Sequence, residues 1–356
     1  MKEKLNPFHV AILIYMIQTG VVIFSLPRML AQYIGYNGWI SVLLFYAFIT
    51  LNIMLISLVY RLCDGKSIFQ IIEQTLPKII YYPLYMVLIV AWSLTGSLIA
   101  KEYIIIYQSF VFPTTHPMFI KIFVDILAYL LVIKGIYNIT KAATMFFALV
   151  IWTIMLLLFF INNFQFLNFT SFYFREGTGE FSGFVDILSA FLGYELVLLL
   201  FPFAEKGKKL MKAVHYGNLL TTSTYLLVSF VCYGFYSFEQ LKRMKYPVIE
   251  LLAYIELPFV ERIEQLIFSL YLFTALIGHV LYMWAATKTA KQALPNANMK
   301  WTTIIIFIIA YAISWIPDVL MKVEIWLTYL GQLDLTIALG LPLLLILLLL
   351  FRKRSA

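Results

Sequence analysis

The sequence predicts an all-α polytopic membrane protein of about ten transmembrane helices, and three observations carry that prediction. First, 63% of the 356 residues are apolar and 12% are charged, with a mean hydropathy of +0.91. Soluble domains hold about 45–50% apolar and about 25% charged residues, so a water-surrounded fold cannot hide this surface. Second, apolar runs recur at the length of about 20 residues that a helix needs to cross a bilayer. Third, the Lys and Arg residues gather at the ends of those runs. Ten spans consume about 200 residues, which leaves connections but no sizeable extramembrane domain. The whole chain, 1–356, therefore reads as one transmembrane domain. A soluble enzyme, a secreted disulfide scaffold and a disordered chain are excluded.

Apolar runs bounded by charge, Pro and Gly fall at about 8–34, 38–60, 79–111, 117–136, 141–162, 183–203, 213–236, 262–290, 300–317 and 333–351, with boundaries good to a few residues. The first follows Lys2 and Lys4, outruns a signal-peptide apolar core and lacks a small-residue cleavage site, so it reads as an uncleaved span. The third and eighth are long enough to tilt or project from the bilayer. Ser237–Val260 is the longest outer connection and suggests a short amphipathic helix on that face.

With the N-terminus inside, seventeen of the 26 Lys and Arg fall on the inner side and seven on the outer, while Arg28 and Lys101 lie within spans. That excess predicts both termini in the cytoplasm. The net charge of +8 does not point to nucleic acid, because no compact basic domain exists to hold a duplex. Cys63 and Cys232 form neither a disulfide framework nor a metal-ligand spacing.

Two spans are interrupted in matching places. In the first, Gln18, Thr19 and Gly20 break an apolar run that then meets Pro27. In the sixth, Ser189–Glu195 contains Gly193 and is followed by Pro202. Gly eases unwinding and Pro removes a backbone donor. Unwound backbone at bilayer depth is tolerated where it lines a cavity or is buried in protein. Breaks in spans one and six of ten predict inverted repeats, about 8–162 and 183–351, with a midplane site between them. Free N–H groups at a half-helix start attract a carboxylate, and freed carbonyls hold an ammonium or a cation. A zwitterionic amino acid suits both, and the ligand is placed among Thr19, Gly20, Val21, Gly193 and Tyr194.

Lys101 and Glu102 lie deep in the third span, where charge is expensive and usually functional. At 100° per residue Ser93, Ser97, Lys101 and Gln108 share a face, and Glu102 points elsewhere. Lys101 has three readings: pairing with Glu195 or gating the cavity, a structural ion pair, or a stem that snorkels. Tyr271, Thr274, Ala275, Gly278, Tyr282, Ala285 and Thr289 form one face of the eighth span, where small residues admit a close helix neighbour. Thr274 is its best candidate for a polar contact to ligand or ion. His279, off that stripe, reads as a satisfied interior histidine. Arg28 is equally a gate or a headgroup anchor. Glu261, Arg262 and Glu264 read as an outer charge cluster, and Lys121 with Asp125 as a local i,i+4 pair. The 31 Phe, 24 Tyr and 7 Trp are assigned to lipid and interface rather than to a cofactor.

No nucleotide, zinc-protease, serine-hydrolase or dithiol motif occurs. The reading is therefore no enzyme, no cofactor and no metal, and any transport is secondary. Asn138 and Asn168 open formal glycosylation triplets of a kind common by chance.

The residues carry a resemblance. Gly20–Pro27 (GVVIFSLP) resembles the first-helix motif of the amino acid–polyamine–organocation superfamily, and Phe191–Glu195 (FLGYE) its sixth-helix motif. More narrowly, the chain resembles a spore germination permease, the B subunit of nutrient germinant receptors. The supporting stretches are Pro202 with the Lys206–Lys212 cluster, Val260–Glu264, Trp315–Asp318, Tyr329–Gly331 and Arg352–Arg354. The similarity runs nearly end to end. It implies a LeuT-type 5+5 inverted-repeat fold with helices 1 and 6 broken, a place in the spore inner membrane, and work with an A subunit and a lipoprotein C subunit. It also implies recognition of a small-molecule nutrient such as an amino acid. Carried over by position, the ligand site falls on Thr19–Val21, the third-span face near Ser97 and Lys101, Gly193–Glu195, and the eighth span from Thr274 to Gly278. Two functions fit the same pocket: a sensor that signals to partner subunits, and a proton- or sodium-coupled amino-acid transporter.

Overall fold

The computed structural model describes residues 4–63, 65–111, 113–205, 207, 209–255 and 262–355. Lys2, Lys206, Lys208, Val260 and Glu261, which figure in the charge and motif readings, lie outside the described residues. Among the described residues the chain is helical, and its only strand-like pairing is one bridge between Gly35 and Glu176.

The first span is the pair α1 (Pro7–Gln18) and α2 (Val22–Tyr33), bent by 58° at the intervening break. Asn6 caps α1 by accepting from the Phe8 N–H, and Pro7 occupies the first turn, where its missing donor costs nothing. Then follow α3 (Ser41–Leu62), α4 (Ile68–Thr75), α5 (Lys78–Val111), α6 (Pro117–Ile133) and α7 (Ile136–Val150). The last of these runs on as a 3₁₀ helix over Ile151–Asn163. The second half opens with α8 (Phe181–Ser189), which breaks and resumes as a 3₁₀ helix over Tyr194–Phe203. It continues through α9 (Lys209–Phe235), α10 (Phe238–Arg243), α11 (Pro247–Leu252), α12 (Ile263–Ala293), α13 (Met299–Ser314) and α14 (Leu320–Ser355).

Each of the ten predicted runs is helical. Among the described residues six helices, or seven with the bent α1–α2 pair, are long and apolar enough to cross a membrane. The other three positions are α6 and α13, of 17 and 16 residues, and α9. The last is less apolar because Asn218, Thr221, Thr222, Thr224 and Ser229 on it are buried inside the protein. Outward faces are apolar instead: Leu44, Leu51, Phe119, Phe123 and Leu127 are all exposed, as a lipid-facing surface requires.

Three boundaries differ from the sequence reading. The tenth helix begins at Leu320, well before 333, and runs 36 residues. The charges that made its first turns look like a connection are paired: Lys322 with Asp318 at 2.7 Å, and Glu324 with the distant Lys245 at 2.8 Å. The amphipathic outer helix is two short helices, α10 and α11, because Pro247 starts a new one. A third helix, α4, stands in the connection before α5, closed by a Ser67–Gln70 capping box.

Close helix approach depends on glycine. A Cβ on Gly96 of α5 would lie 2.9 Å from the Tyr282 Cβ on α12, and one on Gly217 of α9 would lie 2.7 Å from the Ile14 Cβ on α1. Small residues thus set the spacing of the two helix pairs that surround the breaks.

Candidate functional site

The two breaks meet at the centre of the bundle. Between α1 and α2 the break comprises Thr19, Gly20 and Val21; Thr19 is buried, with its hydroxyl donating to the Tyr15 carbonyl at 2.7 Å. In the sixth span Gly193 adopts φ +108°, a left-handed conformation, and a Cβ there would lie 2.8 Å from the Ile17 side chain. Both the backbone and the space therefore demand glycine.

Side chains bind the breaks together. The Gln18 amide donates to the Phe191 carbonyl at 2.6 Å and to Asn218 Oδ1 at 3.2 Å, and its own oxygen accepts from the Thr221 hydroxyl at 2.9 Å. The Tyr225 hydroxyl lies 2.6 Å from the Gln18 carbonyl and 2.9 Å from the Ala190 carbonyl. Carbonyls released by unwinding are thus partnered by α9 and by the opposite break, as buried polar groups must be. This is why α9 turns its polar residues inward.

Beside the breaks lies a cavity of about 320 Å³. Gly20, Val21 and Val22 form one wall, Ser189, Ala190 and Leu192 another, and Thr95, Tyr282 and Asp334 the floor. Its remaining ionisable groups are Arg28, Glu102, Asp186, Lys245 and Glu324, so carboxylates outnumber basic groups by four to two. Lys245 pairs with Glu324 there at 2.8 Å. Tyr246, in the connection before α11, has its phenol held above the ordinary value by burial and so remains a neutral donor toward Glu324, 3.5 Å away. A larger cavity of about 650 Å³, lined by Lys4, Arg61, Pro202, Met211 and Lys212, lies at the far end of the broken sixth span and away from both breaks.

Of the residues singled out from the sequence, Gly20 and Val21 line the cavity, and Gly193 shapes the facing break. Glu195 is buried one layer back: its carboxylate accepts from the Gly193 N–H at 2.7 Å and from the cavity residue Tyr282 at 3.2 Å. Tyr194 turns away and meets the Asn52 amide at 2.7 Å. Thr274 bonds its own helix at the Tyr271 carbonyl, 2.7 Å away, and Gly278 packs against Ile99. Pro27 and Pro202 lie inside the second halves of the broken spans rather than at the breaks.

Several expectations are refined. Lys101 neither pairs with Glu195 nor faces the cavity: its ammonium donates to the carbonyls of Ser314 and Pro317, closing the end of α13. Ser97, on the same face, donates to the Ala310 carbonyl at 3.2 Å. The shared face read from helix periodicity is real, but α13 covers it. Glu102, one residue on, does face the cavity. Lys121, counted among outer-side charges, is fully buried; it pairs with Asp125 at 2.7 Å, and His279 Nε2 lies 2.9 Å from the same carboxylate. Arg28, read as a gate or a headgroup anchor, lines the cavity.

The sequence reading missed Thr95, Tyr282's contact with Glu195, Asp334 and the Gln18–Tyr225 network. Asp334 had a signal, a lone acid inside an apolar run. The network had none, since it depends on which carbonyls the breaks release.

Residues 4–319 match the family described as spore germination protein. The chain is 27% identical to spore germination protein GerQB of Bacillus cereus, over 92% of this chain and 91% of that protein. It is 25% identical to spore germination protein B2 of Bacillus subtilis (strain 168), over 93% and 91%. Spore germination protein A2 of the same strain is 23% identical, over 99% and 97%. Among solved structures the chain is similar to Mhp1, a nucleobase-cation-symport-1 family transporter in a closed conformation with bromovinylhydantoin bound. The TM-score is 0.66 at 12% identity, covering 97% of this chain and 78% of that one. That likeness bears out the LeuT-type fold with its broken first and sixth helices.

Proposed function

The chain belongs to the spore germination protein family, and on that premise we propose that it is the permease-like, nutrient-sensing subunit of a germinant receptor. The observation that carries this reading is the cavity of about 320 Å³ where the two broken spans meet. Its size suits a small nutrient such as an amino acid, and its walls come from elements that are not continuous helices. Gly20, Val21 and Val22 contribute the start of α2, whose amides suit a carboxylate. Gly193 and Glu195 shape the opposite wall, and on α12 Gly278 packs against the cavity residue Ile99 while Thr274 lies one turn away.

Binding between two half-helix pairs favours whichever arrangement of the repeats fits the ligand better, and shifts the population accordingly. The shift is then passed to an A subunit and a lipoprotein C subunit in the spore inner membrane. The repeats are about 8–162 and 183–351 within one transmembrane domain, with both termini cytoplasmic as the Lys and Arg distribution favours. The role is non-enzymatic and needs no cofactor.

The likeness to a transporter fold supports a second reading, secondary transport of an amino acid coupled to protons or sodium. Spores lacking the chain decide between the two when nutrient-triggered germination and labelled amino-acid uptake are measured in parallel. Loss of germination with uptake unchanged supports the sensor. Loss of uptake with normal germination overturns it.

A further inference from the structure

We propose that the floor of the cavity, at Asp334 and Thr95, is a subsite for a monovalent cationic group, either the ammonium of an organic ligand or an inorganic cation. The inference rests on the reading that this cavity is the ligand site, and adds the charge class of what it takes.

The geometry is asymmetric. Asp334 lies within α14 and is 1% exposed. Its Oδ2 accepts from the Thr95 hydroxyl of α5 at 2.6 Å. Its Oδ1 is buried with no hydrogen-bond partner among the described residues, and both residues line the cavity. Tyr282 completes the floor, but its hydroxyl is committed to the Glu195 carboxylate behind it at 3.2 Å. Thr95 thus fixes the carboxylate's orientation while leaving one oxygen open.

Among the described residues no ion pair involves Asp334 or Glu195. Of the two basic residues lining the cavity, Lys245 is paired with Glu324, and Arg28 forms no ion pair with either acid. Lys101, the ammonium of the same helix as Thr95, is held by carbonyls at the end of α13. A buried carboxylate without a countercharge is strongly unfavourable, and within a membrane protein such a group marks a ligand or ion path. A cationic group against Oδ1 supplies both the missing charge and the missing donor. Together with the amides at the start of α2, it gives the cavity an anionic and a cationic end.

The test uses the full chain in lipid nanodiscs and follows its thermal unfolding midpoint against n-butylammonium chloride, sodium chloride and, as a bulky control, choline chloride. Ligand that binds only the folded state raises the midpoint in a saturable way. The expected result is saturable stabilisation of the wild type by butylammonium or sodium, but not choline, and at least a tenfold weaker apparent affinity in Asp334→Asn. Thr95→Val keeps the charge and removes its orienting bond, so it should retain saturation at a several-fold weaker affinity. This keeps the test decisive should Asp334→Asn fail to fold. Saturation by butylammonium alone assigns an organic ammonium, and by sodium alone an inorganic cation; either supports the subsite. Absence of saturable stabilisation in the wild type, or unchanged affinity in the variants, overturns it. Nutrient binding that persists unchanged in Asp334→Asn removes this subsite but leaves the cavity reading intact, whereas absence of nutrient binding to the wild type removes that reading too.

Discussion

The Gln18 side-chain amide donates to the Phe191 carbonyl at 2.6 Å, so the break in the first span is bonded directly to the break in the sixth. The Tyr225 hydroxyl reinforces the junction from α9, reaching the carbonyls of Gln18 and Ala190. The unwound segments are therefore cross-linked to each other rather than loose backbone.

Gln18→Leu leaves the Phe191 carbonyl without that donor, and Tyr225→Phe removes the single hydroxyl hydrogen that the Gln18 and Ala190 carbonyls share. Each should lower stability by about 1–3 kcal/mol. Because both serve the same junction, the double variant should depart from additivity by about 0.5–3 kcal/mol. Thermal or denaturant unfolding of the purified singles and double measures this, and strict additivity contradicts the junction.

Gly193→Ala should be destabilising on two counts. The left-handed φ of +108° costs an L-residue roughly 1–2 kcal/mol, and the new methyl meets Ile17 at 2.8 Å. Adding Ile17→Ala removes only the second, so partial recovery is expected. Complete recovery would mean the backbone conformation carries no strain.

Much of this arrangement is legible in the sequence, because composition and span length fix the solvent and the period. The Gly20 and Gly193 breaks are legible for the same reason: glycine in an apolar run has a backbone meaning. What is not legible is how the faces are assigned. Helix periodicity puts Ser97 and Lys101 on one face correctly, but it cannot say that α13 lies over that face and the cavity over the Glu102 side. Nor can it say that α14 is continuous through Lys322 and Glu324, whose partners Asp318 and Lys245 lie outside it, since a charge paired in space looks the same along the chain as a charge in a loop.

Asp125→Asn tests the buried charge group on α6. Lys121 is fully buried and pairs with Asp125 at 2.7 Å, so removing the anion strands an ammonium at a cost of about 3–5 kcal/mol. The double variant Lys121→Met, Asp125→Asn should recover most of that loss. Unfolding midpoints of the single and double variants provide the measurement; equal loss in both contradicts the pairing.

Lys101→Met should act on the fold rather than on recognition. The side chain closes the end of α13 through the Ser314 and Pro317 carbonyls, and charged hydrogen bonds of this kind contribute about 1.5–3 kcal/mol. Expression and unfolding temperature should fall while the nutrient concentration giving half-maximal germination stays the same. A changed concentration at normal expression would restore Lys101 to the ligand site.

If the cavity between the broken spans binds the germinant, Gly20→Leu occupies that space. A Cβ at Gly20 meets no atom within 4 Å, and the residue lines the cavity, so a leucine there fills ligand space while leaving the packed core untouched. The measurement is the nutrient dose–response of germination in spores carrying the variant at normal abundance. Sensitivity should fall at least about tenfold, equivalent to roughly 1.4 kcal/mol of binding. An unchanged dose–response would contradict it.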